Sequence, residues 1–440
     1  MRKWLINKLV RIINWLASRH IRKFKPVVVG VTGSVGKTST KEQIFAVVAT
    51  RKRARCNVGN FNAEYGVALT ILGDWTAKDL RVIGRDVAVP PSNFQKARFF
   101  ARVIFVSFFR LLFGWRGLYP EVLVLEYGAD KPGDLTYLTG IVKPNIAVVT
   151  AVGDVPVHVQ FYDSPEQVAR EKSKLVEAVA ASGLVILNAD EQRVLAMQHK
   201  TRATALTYGF SEKADIRIID FENKIEERDG ELRPIGITFK LGYDGAFVPV
   251  RINGALGAAQ AYSAAAAGCV GLAFSMNLVD ISQALLYYKP LAQRMQFLRG
   301  INDSVLIDDS YNASPLSMNL AIETVQSIKA KRKVAIIGDM LELGSFSPAA
   351  HKKIGELAAK VFDVVIAVGP AAAAYGEMAA KGKIAKKHIV LAQSVDEVLG
   401  QLPTLIKPGD LVLVKASHGI HLEKAVAVLR RAGPEDLVRR

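Results

Sequence analysis

The stretch VVVGVTGSVGKTSTKEQI, Val27 to Ile44, constrains the fold of this chain more than any other segment. A β-branched run stops at Gly30, a loop with Gly33 and Gly36 delivers Lys37 and Thr38, and a helix-forming segment follows. Strand, glycine turn and helix in that order predict an α/β unit with the loop at the carboxyl end of a buried strand. The glycines let backbone N–H groups turn toward phosphate oxygens, and the helix N-terminus adds positive potential. Lys37 is placed to neutralise the β- and γ-phosphates, and the Thr38 hydroxyl is placed for Mg²⁺. Gly33, Ser34, Val35, Gly36, Lys37, Thr38 and Ser39 therefore form the expected nucleotide cradle. ATP is the expected nucleotide, since nothing resembles a guanine-reading motif. A glycine-rich turn without ligand is the bland alternative, and the Lys-Thr pair in register before a helix argues against it.

Beyond that stretch the chain alternates strands and helices. The runs VVVGV, EVLVLEYG, NIAVVTAV and LVILN are apolar and β-branched, as in a parallel sheet covered on both faces. Residues 203–253 alternate and carry RDGE and YDGA turn signals, which predicts an antiparallel meander inserted after the sheet. Alanine-rich helices are expected near 258–272 and 278–288. A second α/β series starts at SVLIDDS and runs through KVAIIGD, VVIAVG, HIVLA and DLVLVKA. The 440 residues thus divide into an amino-terminal segment 1–26, a central P-loop domain 27–296 and a Rossmann-like domain 297–440. Two cysteines, Cys56 and Cys269, make no disulfide framework and point to the reducing cytoplasm.

The net charge of +17 calls for an anionic partner, and much of it is local. Residues 1–41 contain no acid, and a helical wheel places Leu5, Leu9, Ile12, Ile13 and Leu16 on one face with Lys3 and Arg11 opposite. Two readings of this segment stand side by side: a basic amphipathic helix on a membrane, or a helix packed on its own protein. Residues 93–117, NFQKARFFARVIFVSFFRLLFGWRG, hold seven of the 19 phenylalanines and no acid. Arg102 and Arg110 interrupt this segment too often for a span, which leaves an interfacial helix, with a buried hairpin arm as the alternative. No nucleic-acid-binding motif accompanies the charge.

Three further residues have the chemistry to serve a bound nucleotide. Glu126 ends the strand VLVLE, where its carboxylate can reach a metal beside the phosphates. His158 follows another strand at the carboxyl edge where α/β ligands collect. Lys172 lies inside the helix that Ser164 and Pro165 start. Each alone is more often structural; their order after a P-loop gives them weight.

Four longer marks carry a resemblance: GNFNAEYGVALTIL (59–72), IDDSYNASP (307–315), GDMLELG (338–344) with His351, and LVKASHG (413–419). With the P-loop they resemble the Mur ligase family, ATP-dependent amide synthetases of peptidoglycan precursor assembly, and within it the branch that adds D-alanyl-D-alanine. The resemblance implies transfer of the γ-phosphate to a muramyl-peptide carboxylate and attack of an amine on the acyl phosphate. It implies that Thr38 and Glu126 hold one Mg²⁺ and that His158 helps hold a second. Lys172, with Lys174 as competitor, falls where the family has a carbamylated lysine. Arg294 matches an arginine near the γ-phosphate, Asp309 an acid on the ribose, and Asn312 a neighbour of adenine. Asn60, Asn62, Ser417 and His418 match substrate-contacting positions, with His418 in place of arginine.

The sequence departs from the family in two further respects. Gly257-Ala258-Ala259-Gln260 replaces a G-x-H-N pattern, and no counterpart of the family's UDP-binding domain precedes the P-loop. The expected activity is a cytoplasmic ligase joining D-Ala-D-Ala, or a similar small amine, to a muramyl peptide, with an anionic membrane surface as a further partner. The alternatives are a ligase of the same superfamily with a lipid-linked acceptor, or an ATP-binding scaffold at the membrane.

Overall fold

A computed structural model describes residues 2–58, 64–83, 91–155, 159–228, 231–382, 384 and 388–431. The chain forms two compact units: residues 1–152, 166–217 and 263–284 make the first, and 153–165, 218–262 and 285–440 the second. Segments 153–165, 218–262 and 285–296, which the sequence pattern assigns to the central domain, thus cluster with the carboxy-terminal residues.

The first unit is built on a parallel sheet. Its strands are β1 (Val27–Thr32), β2 (Ala54–Cys56), β3 (Val122–Glu126), β4 (Ile146–Val149), β5 (Leu184–Asn188) and β6 (Thr204–Gly209). Their spatial order is β2-β3-β1-β4-β5-β6. Every residue of β3 and β4 is buried, as expected where helices cover both faces. Val31 pairs with Glu126 on one side and Val148 on the other, so the loop after β1 and the ends of β3 and β4 open at one edge. β6 corrects the sequence reading of 203–253: it runs parallel to β5 and belongs to this sheet. Alternation shows which residues face inward but not which way a neighbouring strand runs, so the antiparallel assignment was over-extended.

β7 (Ile216–Arg228) starts parallel to the end of β6, and in the second unit β8 (Glu231–Tyr243) and β9 (Ala246–Asn253) form the expected antiparallel pair, turning at Asp244-Gly245. The RDGE turn lies partly outside the described residues. A further sheet has the order β10-β11-β15-β12-β13-β14, from β10 (Gln296–Arg299), β11 (Val305–Asp308), β12 (Lys333–Gly338), β13 (Val364–Val368), β14 (Ile389–Ala392) and β15 (Leu411–Lys415). All its pairs are parallel except β10 with β11. The alanine-rich helices occupy Ala258–Ala273 and Leu278–Leu286, close to expectation.

The amino-terminal helix, Arg2–Phe24, packs on the helices Glu64–Leu72, Asn93–Phe113 and Asp134–Ile141. Its inward seam is Val10, Ile13, Leu16, Ala17, His20 and Phe24. Ile12, expected on the apolar face, is 43% exposed, and Trp15 is 51% exposed. The seam is rotated because His20 and Phe24 pack against Tyr119: the Phe24 and Tyr119 rings stack at 4.4 Å, and the Tyr119 hydroxyl donates to the Ile71 carbonyl. Burial, with the charges of Arg110 and Arg55, lowers the His20 pKa to about 4, so a neutral ring sits in this seam. Residues 93–113 form one continuous helix and no hairpin, opened by a capping box between Ser92 and Gln95.

This packing generates a prediction. Ile13→Ala removes a fully buried side chain and should destabilise the first unit by about 2–5 kcal/mol. Trp15→Ala should shift stability by no more than ~0.5 kcal/mol. Denaturant midpoints of the two variants check the direction and the contrast.

Candidate active site

At the edge where β1 ends, the backbone turns through Gly33 (φ +149°) and Gly36 (φ +85°) into the helix Lys37–Val48. A side chain at position 33 would collide with the Thr150 hydroxyl, so glycine is required there. Thr150 in turn donates to the Val35 carbonyl (2.6 Å), and Ser34 N–H donates to the Ala151 carbonyl (2.6 Å), fastening the loop to the end of β4. The Lys37 ammonium donates to the carbonyls of Gly33 (2.8 Å) and Ser34 (3.4 Å), so its charge is held over the loop. The helix N-terminus has no side-chain cap, and the Ser34 hydroxyl is buried with no hydrogen bond. Uncapped N–H groups, a fixed ammonium and a buried hydroxyl together fit a polyphosphate.

Thr38 and Ser39 are buried in the first turn of that helix, and Glu126 is buried at the end of β3. Among the described residues no group of three His, Cys, Asp or Glu could hold a metal by itself. A hydroxyl and one carboxylate fit Mg²⁺, which takes few protein ligands and completes its shell with phosphate and water. The position of Glu126 depends on a residue the sequence reading passed over. Lys41, fully buried, donates to the Asn57 carbonyl (2.5 Å) and pairs with Glu42 (3.0 Å); Asn57 Oδ1 accepts the Glu126 N–H (2.9 Å). The signal in the sequence is the fifth consecutive polar residue of KTSTK, in a helix whose first turns are buried.

Lys172 lies in the helix Pro165–Glu177 and is 3% exposed. Burial, then the positive charge of Lys37, lowers its pKa to about 7, against the opposing pull of Asp130 and Glu171. Glu171 accepts the N–H groups of Gly133 (3.0 Å) and Leu135 (2.9 Å), which ties this helix to the loop that carries Asp130. Lys174, the sequence competitor, is 41% exposed and pairs with Glu177 at 2.7 Å. Geometry therefore separates the two lysines. His158, Asn60 and Asn62 lie outside the described residues.

The remaining candidates sit in the second unit. Asp309 follows β11, and its carboxylate accepts from Lys415 Nζ (2.5 Å) and Met295 N–H (3.1 Å). Lys415 also donates to the Asn312 carbonyl (2.9 Å), so one buried lysine fixes both expected nucleoside contacts. In the sequence this lysine stands out only as part of LVKASHG. The Arg294 guanidinium lies 4.3 Å from the centroid of the Tyr311 ring, and the His418 ring stacks with the same tyrosine at 5.8 Å. The Ser417 hydroxyl accepts from Leu341 N–H (2.9 Å) and donates to the Ala313 carbonyl (3.3 Å), joining the loops of GDMLELG and IDDSYNASP. His351, fully buried, accepts the Met340 N–H on Nε2 and donates from Nδ1 to the Ser347 carbonyl. Gln260 Nε2 donates weakly to the Arg294 carbonyl (3.4 Å).

The chain matches known proteins in sequence and in fold. Residues 116–270 match the Mur ligase middle domain, and 293–418 match the Mur ligase, glutamate ligase domain. Together these span well over half of the chain. The chain is 28% identical over 424 residues to the UDP-N-acetylmuramoyl-tripeptide–D-alanyl-D-alanine ligase of Bacillus subtilis, covering 96% of this chain and 80% of that protein. It is 29% identical over 416 residues to the ligase of the same description from Mycobacterium tuberculosis, covering 90% and 71%. Among solved structures, MurF from Acinetobacter baumannii aligns with a TM-score of 0.74 at 23% identity over 97% of this chain and 80% of that one. MurF ligase from Thermotoga maritima in complex with ADP aligns at 0.73 and 24%, over 95% and 83%. These structural likenesses establish the fold.

The buried amine generates a pH prediction. The folded pKa of Lys172, about 7, lies below its ordinary value of 10.5, so the unfolded chain binds the extra proton between these two values. The cost of burying Lys172 is therefore greatest below pH 7 and fades as pH rises toward 10.5. Lys172→Met should raise the melting temperature most at the acid end, with the advantage over wild type narrowing through pH 7–9 in CO₂-free buffer. Paired melting curves at several pH values check it.

Proposed function

Since the chain belongs to the Mur ligase family, we propose that it joins D-alanyl-D-alanine to the carboxylate of a muramyl peptide in an ATP-dependent amide ligation. The observation that carries this reading is the pairing of an intact phosphate loop, with Lys37 held over it, and a buried Lys172 within electrostatic reach of Lys37. The names of the similar ligases from Bacillus subtilis and Mycobacterium tuberculosis supply the substrate pair. ATP provides the phosphoryl group that converts an unreactive carboxylate into an acyl phosphate, which the amine then attacks with release of inorganic phosphate.

The chain's own residues align and stabilise. Lys37 and the N–H groups of the loop hold the transferring phosphoryl group by fixed positive charge. Thr38 and Glu126 would hold Mg²⁺, which would neutralise charge on the phosphates, and the role we propose for His158 is that of a ligand to a second ion. Asp309, set by Lys415, takes the ribose hydroxyls, Asn312 lies by the adenine, and Arg294 faces the γ-phosphate. For Asn60, Asn62, Ser417 and His418 we propose the role of substrate contacts. For Lys172 we propose a carbamate: the neutral amine adds CO₂, loses a proton and becomes an anionic oxygen ligand. A pKa near 7 leaves about half of the amine neutral at neutral pH, against fewer than about one in a thousand for an ordinary lysine. The domain limits we propose are 1–26, 27–296 and 297–440.

Two measurements test this reading. With ATP and Mg²⁺, phosphate release and a ligated product mass should require a muramyl tripeptide together with D-Ala-D-Ala. Lys37→Ala should lower the rate by at least ~10²-fold. Stimulation by D-glutamate or a diamino acid in place of D-Ala-D-Ala would overturn the substrate assignment. For the carbamate, ¹³CO₂ should give a carbamate carbon signal in the wild type that is absent from Lys172→Arg. That variant should be inactive, because a permanent cation there opposes Mg²⁺. A fully active arginine variant would exclude the carbamate.

A further inference from the structure

The helix Asn93–Phe113 is apolar on two opposite sides. Phe99, Val103 and Ser107 recur every four residues and are buried. On the other side Phe94, Phe105, Phe108, Phe109, Leu112 and Phe113 are exposed, Phe94 by 76% and Phe105 by 72%. A helix that only packed on its own protein would carry polar residues there. Trp115 and Leu118 continue the exposed surface past the helix end, by 76% and 85%.

Charge decides what such a face can meet. The exposed charges on this helix and just after it are Arg98, Arg102 and Arg116, and Lys96 is half-buried. The neighbouring amino-terminal helix adds exposed Lys8, Arg11, Arg19, Arg22, Lys23 and Lys25, and Lys23 Nζ donates to the Leu111 carbonyl at 2.6 Å, tying the two helices together. Neither segment contains an acid. Arg102 pairs with Asp79, which lies outside both helices. No helix of the described residues is long and apolar enough to cross a membrane, which leaves the face to lie along a surface. Aromatic rings next to Trp and a cationic rim without acids match the boundary of an anionic bilayer, where rings enter the headgroup region and lysines and arginines meet lipid phosphates.

We propose that the outward face of Asn93–Phe113, with the basic amino-terminal helix beside it, docks flat on an anionic lipid surface. The ligase reading is not needed for this assignment. An anionic lipid phosphate, and not the acyl chain alone, is what the cationic rim recognises.

The full chain should float with vesicles of phosphatidylcholine containing phosphatidylglycerol at low salt. Binding should drop by ~10-fold or more at high salt and on vesicles of phosphatidylcholine alone. The double variant Phe105→Glu and Phe109→Glu should lose flotation while keeping the wild-type circular dichroism spectrum and ATP-dependent phosphate release. Absence of binding at low salt, or equal binding to neutral vesicles, would overturn the proposal. So would a dimer in vesicle-free solution that the same variant dissociates, since the face would then belong to a second copy.

Discussion

Lys37 and Lys172 share a corner of the first unit, the one half-buried over the phosphate loop and the other enclosed. Burial and the charge of Lys37 hold the Lys172 pKa near 7, and Lys37 is fixed over the loop by two carbonyls. Two like charges in a low-dielectric setting repel more strongly than in water. The arrangement is relieved when one gives up its charge or when an anion enters, and a polyphosphate and a carbamate each do so. The close approach of the loop to Thr150, the uncapped helix N-terminus and the tie from Glu171 to the Asp130 loop all serve to keep this corner in place.

The other buried lysines act as fasteners. Lys41 connects the phosphate-loop helix to Asn57, and Asn57 receives the backbone of Glu126, so the carboxylate's setting follows the helix. Lys415 does the same for Asp309 and Asn312 in the second unit. His351 and Ser417 tie down GDMLELG and IDDSYNASP through backbone groups. Breaking one of these ties leaves a polar group buried and unsatisfied, which costs on the order of 1–3 kcal/mol and displaces the neighbouring functional side chain. Some residues in the most diagnostic sequence marks are thus supports for the chemistry.

The Phe-rich helix shows a different use of apolar surface. One side fills the space beside Trp75 and the amino-terminal helix, and the opposite side leaves its rings in solvent. Exposed aromatics on this scale are uncommon on a surface that meets only water. The composition and a helix are legible in the sequence; that the helix carries a buried seam opposite an exposed one is not.

Local chemistry was legible from sequence because it is carried by neighbours in the chain. The glycine turn, Lys37 and Thr38 are a contiguous unit whose backbone geometry depends on few distant contacts. The buried strands β1, β3, β4 and β5 announce themselves by unbroken β-branched runs. What the sequence left open depends on residues far apart. The direction of β6 is set by its pairing with β5, the inward seam of the first helix by Tyr119 ninety-odd positions away, and the choice between Lys172 and Lys174 by which of them the fold encloses. The sequence alone determined a phosphate-binding α/β protein of recognisable family marks, since backbone conformation and periodicity are local properties. Tertiary structure decided which lysine is enclosed and has its pKa lowered, which carboxylate is held and which phenylalanines face outward, because desolvation and electrostatic coupling exist only once distant segments meet.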